Sequence, residues 1–496
     1  MDPKGCCSAV AFLIASMACT PVLFGEVRPH AMISDGMVLQ RERDVAIWGT
    51  ARRGEKIVVV FRGHEVTTTA VDGTWSVRMP SGLPGGPFSL SIVGENTITL
   101  KNVLVGEVWL CSGQSNMGWP LGPRPGDPAR QGTEYPQVRL LNVPAQKRDQ
   151  PQSDLLNVHW DECGPETVGN FSAVAYYFGR DLHKSLSVPI GLIHASYGGS
   201  PIEQWVKLDS ASNQEPATGL RPGKAITPGL YNGMIAPLVP FTIRGVIWYQ
   251  GEANADAAST YEELFSSMIG SWRKDWEQSD LPFLFVQVAP YGPLLREPQE
   301  SKWAELREAQ RQVSLKVPGT GMAVITDFGH ETDIHPKPKE PVGDRLVRLA
   351  RRLVYKQDVV ASGPTFDSMK IDGRAVVLSI RDMHGSLDGG LRASAMDLQN
   401  VTRDPRTGKT GGSLRVVETK DRHTPLVGFT IAGADGRYVL ANAEIRGDTV
   451  VLSAREIEKP VAVRYGWADY PSGNLFNTAG LPASPFQVKI PNTPSR

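Results

Sequence analysis

The sequence predicts an α/β fold, a mainly parallel sheet in the middle of the chain with β-sandwich-like segments on both sides. From Val103 to Tyr355, strand-like apolar runs alternate with amphipathic helical stretches. Before and after that region, short β-branched runs follow one another with turn residues between them. The 50 Gly and 38 Pro in 496 residues supply many turns and long loops, which suits β segments and active-site loops more than a helical bundle. A chain of this length exceeds one ordinary domain.

At the N-terminus, Lys4 precedes the apolar run SAVAFLIASMA, which Ser16-Met17-Ala18 closes with small residues at the spacing of a signal cleavage site. Residues 1–25 are therefore expected to act as a signal peptide and leave a secreted or periplasmic protein. Cys19, directly after the small residues, makes a lipid anchor the alternative. The run itself is too short to span a bilayer. Lys+Arg and Asp+Glu are both 52, so charge gives no case for nucleic acid or an anionic membrane as partner. With no CxxC pair, no HExxH and no spaced histidine cluster, neither a structural nor a catalytic zinc is expected. Cys111 and Cys163 alone lie clear of the signal, enough for at most one internal bridge.

Residues 26–102 read as an N-terminal β domain, from the runs DVAIWGTA, KIVVVFRG, TWSVRMP and PFSLSIVG and the turns at Asp72-Gly73 and Gly85-Gly86. Residues 103–357 read as the α/β domain. Its strands are VWLC, RLLNVP, VPIGLIHAS, GVIWY, FLFVQVAP and GMAVITD, interleaved with helices such as SAVAYYFGRDLHKSL, YEELFSSMIGSWRKDW and PVGDRLVRLARRLVY. Residues 358–496 return to short β runs, AVVLSI, YVLANAEI and DTVVLSA among them, as a C-terminal β domain or as part of one unit with the N-terminal segment.

Ligands of open α/β sheets bind outside the carboxyl ends of the strands. Polar or glycine-rich clusters fall at such ends here: GQSN after VWLCS, YGGS after GLIHAS, QGEAN after GVIWY, and DIHP shortly after AVITD. Ser115 sits at a strand-to-helix turn, where its hydroxyl meets the unpaired N–H donors of a helix start. A lone serine there can simply cap the helix; the other clusters favour acyl-transfer chemistry. Asp333 and His335, in an extended segment ahead of Pro336, would share one face, the carboxylate holding the imidazole whose other nitrogen serves Ser115 as base. His330 and Asp327 are rivals without that pairing. Oxyanion donors would be the N–H of Ser115, that of Gly198 or Gly199, and the amide of Gln250 or Asn254. Glu252 suits a buried partner for Asn116 or a contact to a substrate hydroxyl. Trp119, Trp205 and Trp248 are sugar platforms or core.

In this order, GQSN, glycine, QGEAN and Asp-x-His-Pro, the motifs resemble the SGNH (GDSL-like) hydrolase superfamily, in particular its sialate O-acetylesterase-like branch. Ser34 to Arg41 (SDGMVLQR), Leu230 to Leu238 (LYNGMIAPL) and Arg464 to Phe486 have the same character. The resemblance implies a three-layer SGNH hydrolase domain and a cofactor-free serine esterase acting on acetylated sugars. It implies Ser115 as nucleophile, His335 as base, Asp333 as its orienter, and an oxyanion hole of Ser115, Gly199 and a block-three residue. The usual GxN of that block is absent, so Gln250 is the expected side-chain donor. Gln114, Asn116, Glu252 and Asn254 are left to bind substrate. An esterase of acetylated, xylan-type polysaccharide and an inactive carbohydrate-binding surface protein are the alternatives.

Overall fold

A computed structural model describes residues 26–124, 126–207, 227–382, 391–393, 396–403, 410–416 and 424–489. The expected signal, with Cys19, lies outside them. The first half of the chain forms β1 (Arg28–Pro29), β2 (Val38–Gln40), β3 (Asp44–Thr50), β4 (Lys56–Phe61), β5 (His64–Thr69), β6 (Thr74–Pro80), β7 (Gly85–Val93), β8 (Thr97–Gly113), β9 (Tyr135–Asn142), β10 (Asp161–Cys163) and β11 (Ile190–Ser196). β12 (Gly245–Tyr249), β13 (Phe283–Val286) and β14 (Thr320–Ala323) complete the central sheet, in the order β10-β9-β11-β8-β12-β13-β14. Every neighbour pair from β9 to β14 is parallel, and β10 joins the edge antiparallel.

Side chains of β8 alternate between two cores, as the strand period requires. Val108 and Leu110 face one core, Trp109 and Cys111 the other. On the first face lie α3 (Ala258–Asp275) and α4 (Lys302–Lys316), through Tyr261, Phe265 and Leu306. On the second lie α2 (Ala173–Leu186) and α5 (Glu340–Leu349), through Phe178, Leu182, Val342 and Leu346. Ser172 caps α2 by accepting from Ala175 N at 3.0 Å, the role that serine ahead of an apolar helical run favours. Cys111 and Cys163 are buried and free, so no disulfide forms between them.

The domain boundary expected at 102/103 falls inside β8, one strand of 17 residues. Its first part pairs with β7, its middle with β2, and its last seven residues with β11 and β12. Val27, Ile57, Val59, Phe61 and Trp75 of the N-terminal segment accordingly share one apolar core with Trp248, Phe285 and Leu306. The C-terminal segment has its own core around Leu378, Ile431, Val450 and Phe486. It is held to the α/β domain by Arg307 of α4, which is fully buried and donates to Val288 O (3.0 Å), Ala289 O (3.1 Å), Ala468 O (2.8 Å) and Asp469 O (2.9 Å).

Removing that guanidinium strands buried carbonyls and opens a cavity. Arg307→Ala is expected to lose about 3 kcal/mol or more of unfolding free energy, read by urea denaturation followed by tryptophan fluorescence.

Candidate active site

In the sheet register, Gly113 lies opposite both Ser196 of β11 and Tyr249 of β12. The segments that follow therefore leave the sheet at one level, on both sides of β8, where the chain's path reverses direction across the sheet; this is where such sheets bind ligands. Gly113 has φ +138°, and a Cβ there would stand 2.2 Å from Tyr249 O, so only glycine allows the close turn into α1 (Ser115–Gly118). α1 is a single turn. The N–H groups at its start are available to an anion, but so short a helix sums few peptide dipoles, so the expected dipole contribution is small.

Ser115 Oγ lies 2.9 Å from His335 Nε2. The indole of Trp119 stacks on the imidazole, centroids 5.1 Å apart and 27° between planes, which limits the ring's rotation. The loop after β11 passes close by: a Cβ on Gly198 would be 3.8 Å from that of Ser115. Next to it Gly199 has φ +67°, a conformation that favours glycine. Neither Ser115 N nor Gly199 N donates to a backbone carbonyl among the described residues.

Asp333 differs from expectation. Its segment bends instead of running extended, because Asp333 Oδ1 accepts the His335 backbone N–H at 2.9 Å, the local turn that aspartate side chains favour. The same oxygen stands 3.6 Å from His335 Nδ1, too far for a hydrogen bond but within ion-pair distance. Of the rivals, Asp327 is bound bidentately by Arg345 at 2.7 Å, and His330 Nδ1 accepts from the backbone of Thr332 and Asp333.

Gln250 is not placed to serve as the oxyanion donor. Its amide hydrogens go to Ser200 O (3.1 Å) and Asn254 Oδ1 (2.7 Å), and its Oε1 accepts from Tyr261 Oη (2.9 Å). Asn254 gives one hydrogen to Glu203 Oε2 at 2.9 Å and accepts from Ile202 N, which leaves its second N–H. Of the other residues expected to bind substrate, Gln114, Asn116 and Glu252 are instead cross-braces beneath the turn, all three buried. Gln114 Oε1 accepts from Gly251 N and Ala253 N. Asn116 Nδ2 donates to Glu252 Oε1 at 2.5 Å and to Ile334 O at 3.1 Å. Trp205 and Trp248 are fully buried core; of the three tryptophans weighed as platforms, Trp119 alone lies at the site.

Lys339 escaped the sequence reading. It is 3% exposed, its Nζ donates to Asn116 Oδ1 at 2.5 Å, and it lies over the rings of Trp119 and Tyr249. Burial lowers its pKa to about 7, against the opposing pull of Glu252 and Asp333. Burial also raises the pKa of Glu252, so desolvation drives both ends of this Lys339–Asn116–Glu252 chain toward their neutral forms. No residue type or spacing in HPKPKEP signals a buried lysine.

A serine-histidine pair at the carboxyl ends of a parallel sheet, with backbone donors beside it, has the geometry that ester hydrolysis through a serine requires. Comparisons with known proteins define the same class. Residues 105–349 match the family described as carbohydrate esterase, sialic acid-specific acetylesterase. The human sialate O-acetylesterase is 32% identical over 387 residues, covering 68% of this chain and 73% of that protein. The mouse enzyme is 31% identical over 535 residues, covering 92% and 93%. A solved carbohydrate acetylesterase from Xanthomonas citri is 38% identical, with a TM-score of 0.79 over 93% of this chain and 99% of its own. The protein is a carboxylic ester hydrolase of the carbohydrate acetylesterase kind. It belongs to the sialate O-acetylesterase family.

Lys339 makes stability depend on pH. A lysine whose folded pKa is about 7 and whose ordinary value is 10.5 binds fewer protons folded than unfolded between those limits, so its contribution to stability rises with pH across that window. The unfolding free energy of wild type minus that of Lys339→Met is therefore expected to increase from pH 7 to pH 10, measured by urea titration at several pH values.

Proposed function

We propose that the protein hydrolyses O-acetyl esters of sugars, sialate-type esters foremost, through an acetyl intermediate on Ser115. The observation that carries this reading is the 2.9 Å approach of Ser115 Oγ to His335 Nε2 at the sheet's carboxyl edge. In the first half-reaction, His335 Nε2 takes the proton of Ser115 as Oγ bonds to the acetyl carbon. The carbonyl electrons move onto oxygen, facing the N–H groups of Ser115 and Gly199 and the second amide hydrogen of Asn254. Collapse of that adduct breaks the bond to the sugar oxygen, which leaves with the proton from His335. Water, deprotonated by His335, then attacks the acetyl-serine, and the second adduct releases acetate and restores the serine. Asp333, 3.6 Å from Nδ1, favours the imidazolium by charge. Export through the Lys4–Ala18 segment fits an enzyme that meets glycans outside the cytoplasm, and N-terminal sequencing of protein recovered there checks it.

On p-nitrophenyl acetate, Ser115→Ala is expected to abolish turnover and His335→Ala to lower kcat about a thousandfold or more. A folded Ser115→Ala protein with full activity would sink the mechanism. Full labelling of wild type by a serine-reactive fluorophosphonate is expected too, and absence of labelling would favour a carbohydrate-binding protein without activity. Acetate release from O-acetyl sialic acid and from acetylated xylan compares the two substrate classes directly.

The donor assignment has its own test. Asn254→Ala should cost about a hundredfold in kcat with little change in KM. Gln250→Ala should act mainly on thermal stability, since its amide holds the loops together. The reverse pattern would return the donor role to Gln250.

A further inference from the structure

We propose that the groove between the α/β domain and the C-terminal β segment binds the sugar units adjoining the acetylated one, so that the substrate is an oligosaccharide chain and not a single sugar. This rests on the esterase reading above. The groove encloses about 650 Å³, the size range of ligand sites, which form preferentially between domains. Glu331 forms part of its wall and lies four residues before His335. Those residues reach roughly 14 Å even when fully extended. The bend at His330, whose Nδ1 accepts Asp333 N at 3.2 Å, shortens the path. A sugar chain with its acetylated unit at Ser115 is therefore within a few sugar units of this groove along the loop 331–335.

Its walls are fixed in place. The Glu331 carboxylate accepts Leu294 N at 3.0 Å and Gly412 N at 2.9 Å, joining the loop before His335 to both sides. Trp467 is backed by the Arg464 guanidinium, 4.6 Å from its ring centroid, and Glu300 grips Arg464 bidentately at 2.8 and 2.9 Å. A rigid aromatic surface loses little freedom when a ring stacks on it.

The lining also has the chemistry of a sugar site. Nine large hydrophobic residues are exposed among the described residues, and three of them, Leu295, Val427 and Leu440, line this one groove. Yet Trp467 Nε1 and Thr430 Oγ1, on two more lining residues, are buried without hydrogen-bond partners among the described residues. Both atoms are out of solvent contact, so a guest reaches them only after a side-chain rotation, and Arg296, Glu297 and Ser472 supply the rest of the polar lining. A pyranose offers a C–H face to the indole and aliphatic side chains, and hydroxyls to these polar groups.

The test uses full-length Ser115→Ala protein and calorimetric titration with xylohexaose and with sialyllactose, each against its monosaccharide, xylose or free sialic acid. One of the chains is expected to bind at least about tenfold more tightly than its monosaccharide, and Trp467→Ala in the same background to weaken it about tenfold. Equal affinity for chain and monosaccharide would overturn the proposal, as would unchanged binding in a folded Trp467→Ala protein. Should that variant misfold, Leu440→Asp on the exposed rim replaces it, with the same weakening expected and unchanged binding again decisive against the groove. In the active enzyme, kcat/KM on the acetylated chain relative to p-nitrophenyl acetate should fall about tenfold with either substitution. Failure to cleave p-nitrophenyl acetate would refute the esterase reading alone, because the binding titration still decides the groove.

Discussion

Asn116 joins pieces of chain that are far apart in sequence. Its amide nitrogen holds Ile334 O, between Asp333 and His335, and Glu252 after β12, while its oxygen takes the ammonium or amine of Lys339 ahead of α5. Since Asn116 follows Ser115 directly, these bonds fix the turn of Ser115 against the segment that carries His335. Ser115 and His335 come from opposite ends of the α/β domain, so their 2.9 Å approach depends on this joint. A buried carboxamide with donors and acceptor all engaged is a stiff joint, because breaking any one bond leaves a polar group desolvated. Lys339 and Glu252 tolerate their burial because desolvation moves each toward neutrality and Asn116 satisfies one atom of each.

That joint works only on a level platform, and β8 provides it. One strand of 17 residues carries the N-terminal antiparallel pairing at one end and the turn of Ser115 at the other. The N-terminal β segment is thus a continuation of the catalytic sheet, with which it shares a core, and no flexible appendage. Arg307 does the equivalent for the C-terminal segment by way of backbone carbonyls. The two β segments are fastened by different physics, one by strand continuity and apolar burial, the other by a buried cation satisfied by four carbonyls.

Local signals in the sequence are enough for the elements and for singling out Ser115 and His335, which the fold brings within 2.9 Å of each other. GVIWY is a strand over its full expected length, α2 begins at its capping serine, and the clusters after VWLCS, GLIHAS and GVIWY do emerge together. The misreadings concern groups whose role depends on what folds against them. Gln250 has the chemistry of an oxyanion donor, but Ser200, 50 positions earlier, claims one of its hydrogens. Asp333 and His335 share the expected spacing, yet the aspartate's own preference for a backbone N–H two residues on bends the segment that was to be extended. Lys339 reads as solvated charge until α5 and Trp119 close over it. The boundary expected at 102/103 lies where the pattern of runs changes, and a strand can cross such a change without breaking.

Glu331 and Gly412 join the loop ahead of His335 to the C-terminal segment. Gly412 belongs to the strand Thr410–Val416, which pairs with Met396–Arg403 in a hairpin of the C-terminal segment. The backbones of Glu331 and Gly412 bond to each other, and the Glu331 carboxylate takes the glycine's N–H as well. The loop bearing His335 is therefore bounded at one end by α5 and Lys339, and at the other by a strand from a segment with a separate hydrophobic core. Glu331, four residues from His335, is one place where the C-terminal segment grips this loop directly. The C-terminal β segment thus forms one wall of the groove and at the same time braces the loop that carries His335, so it is built into that loop's support and is not merely its neighbour.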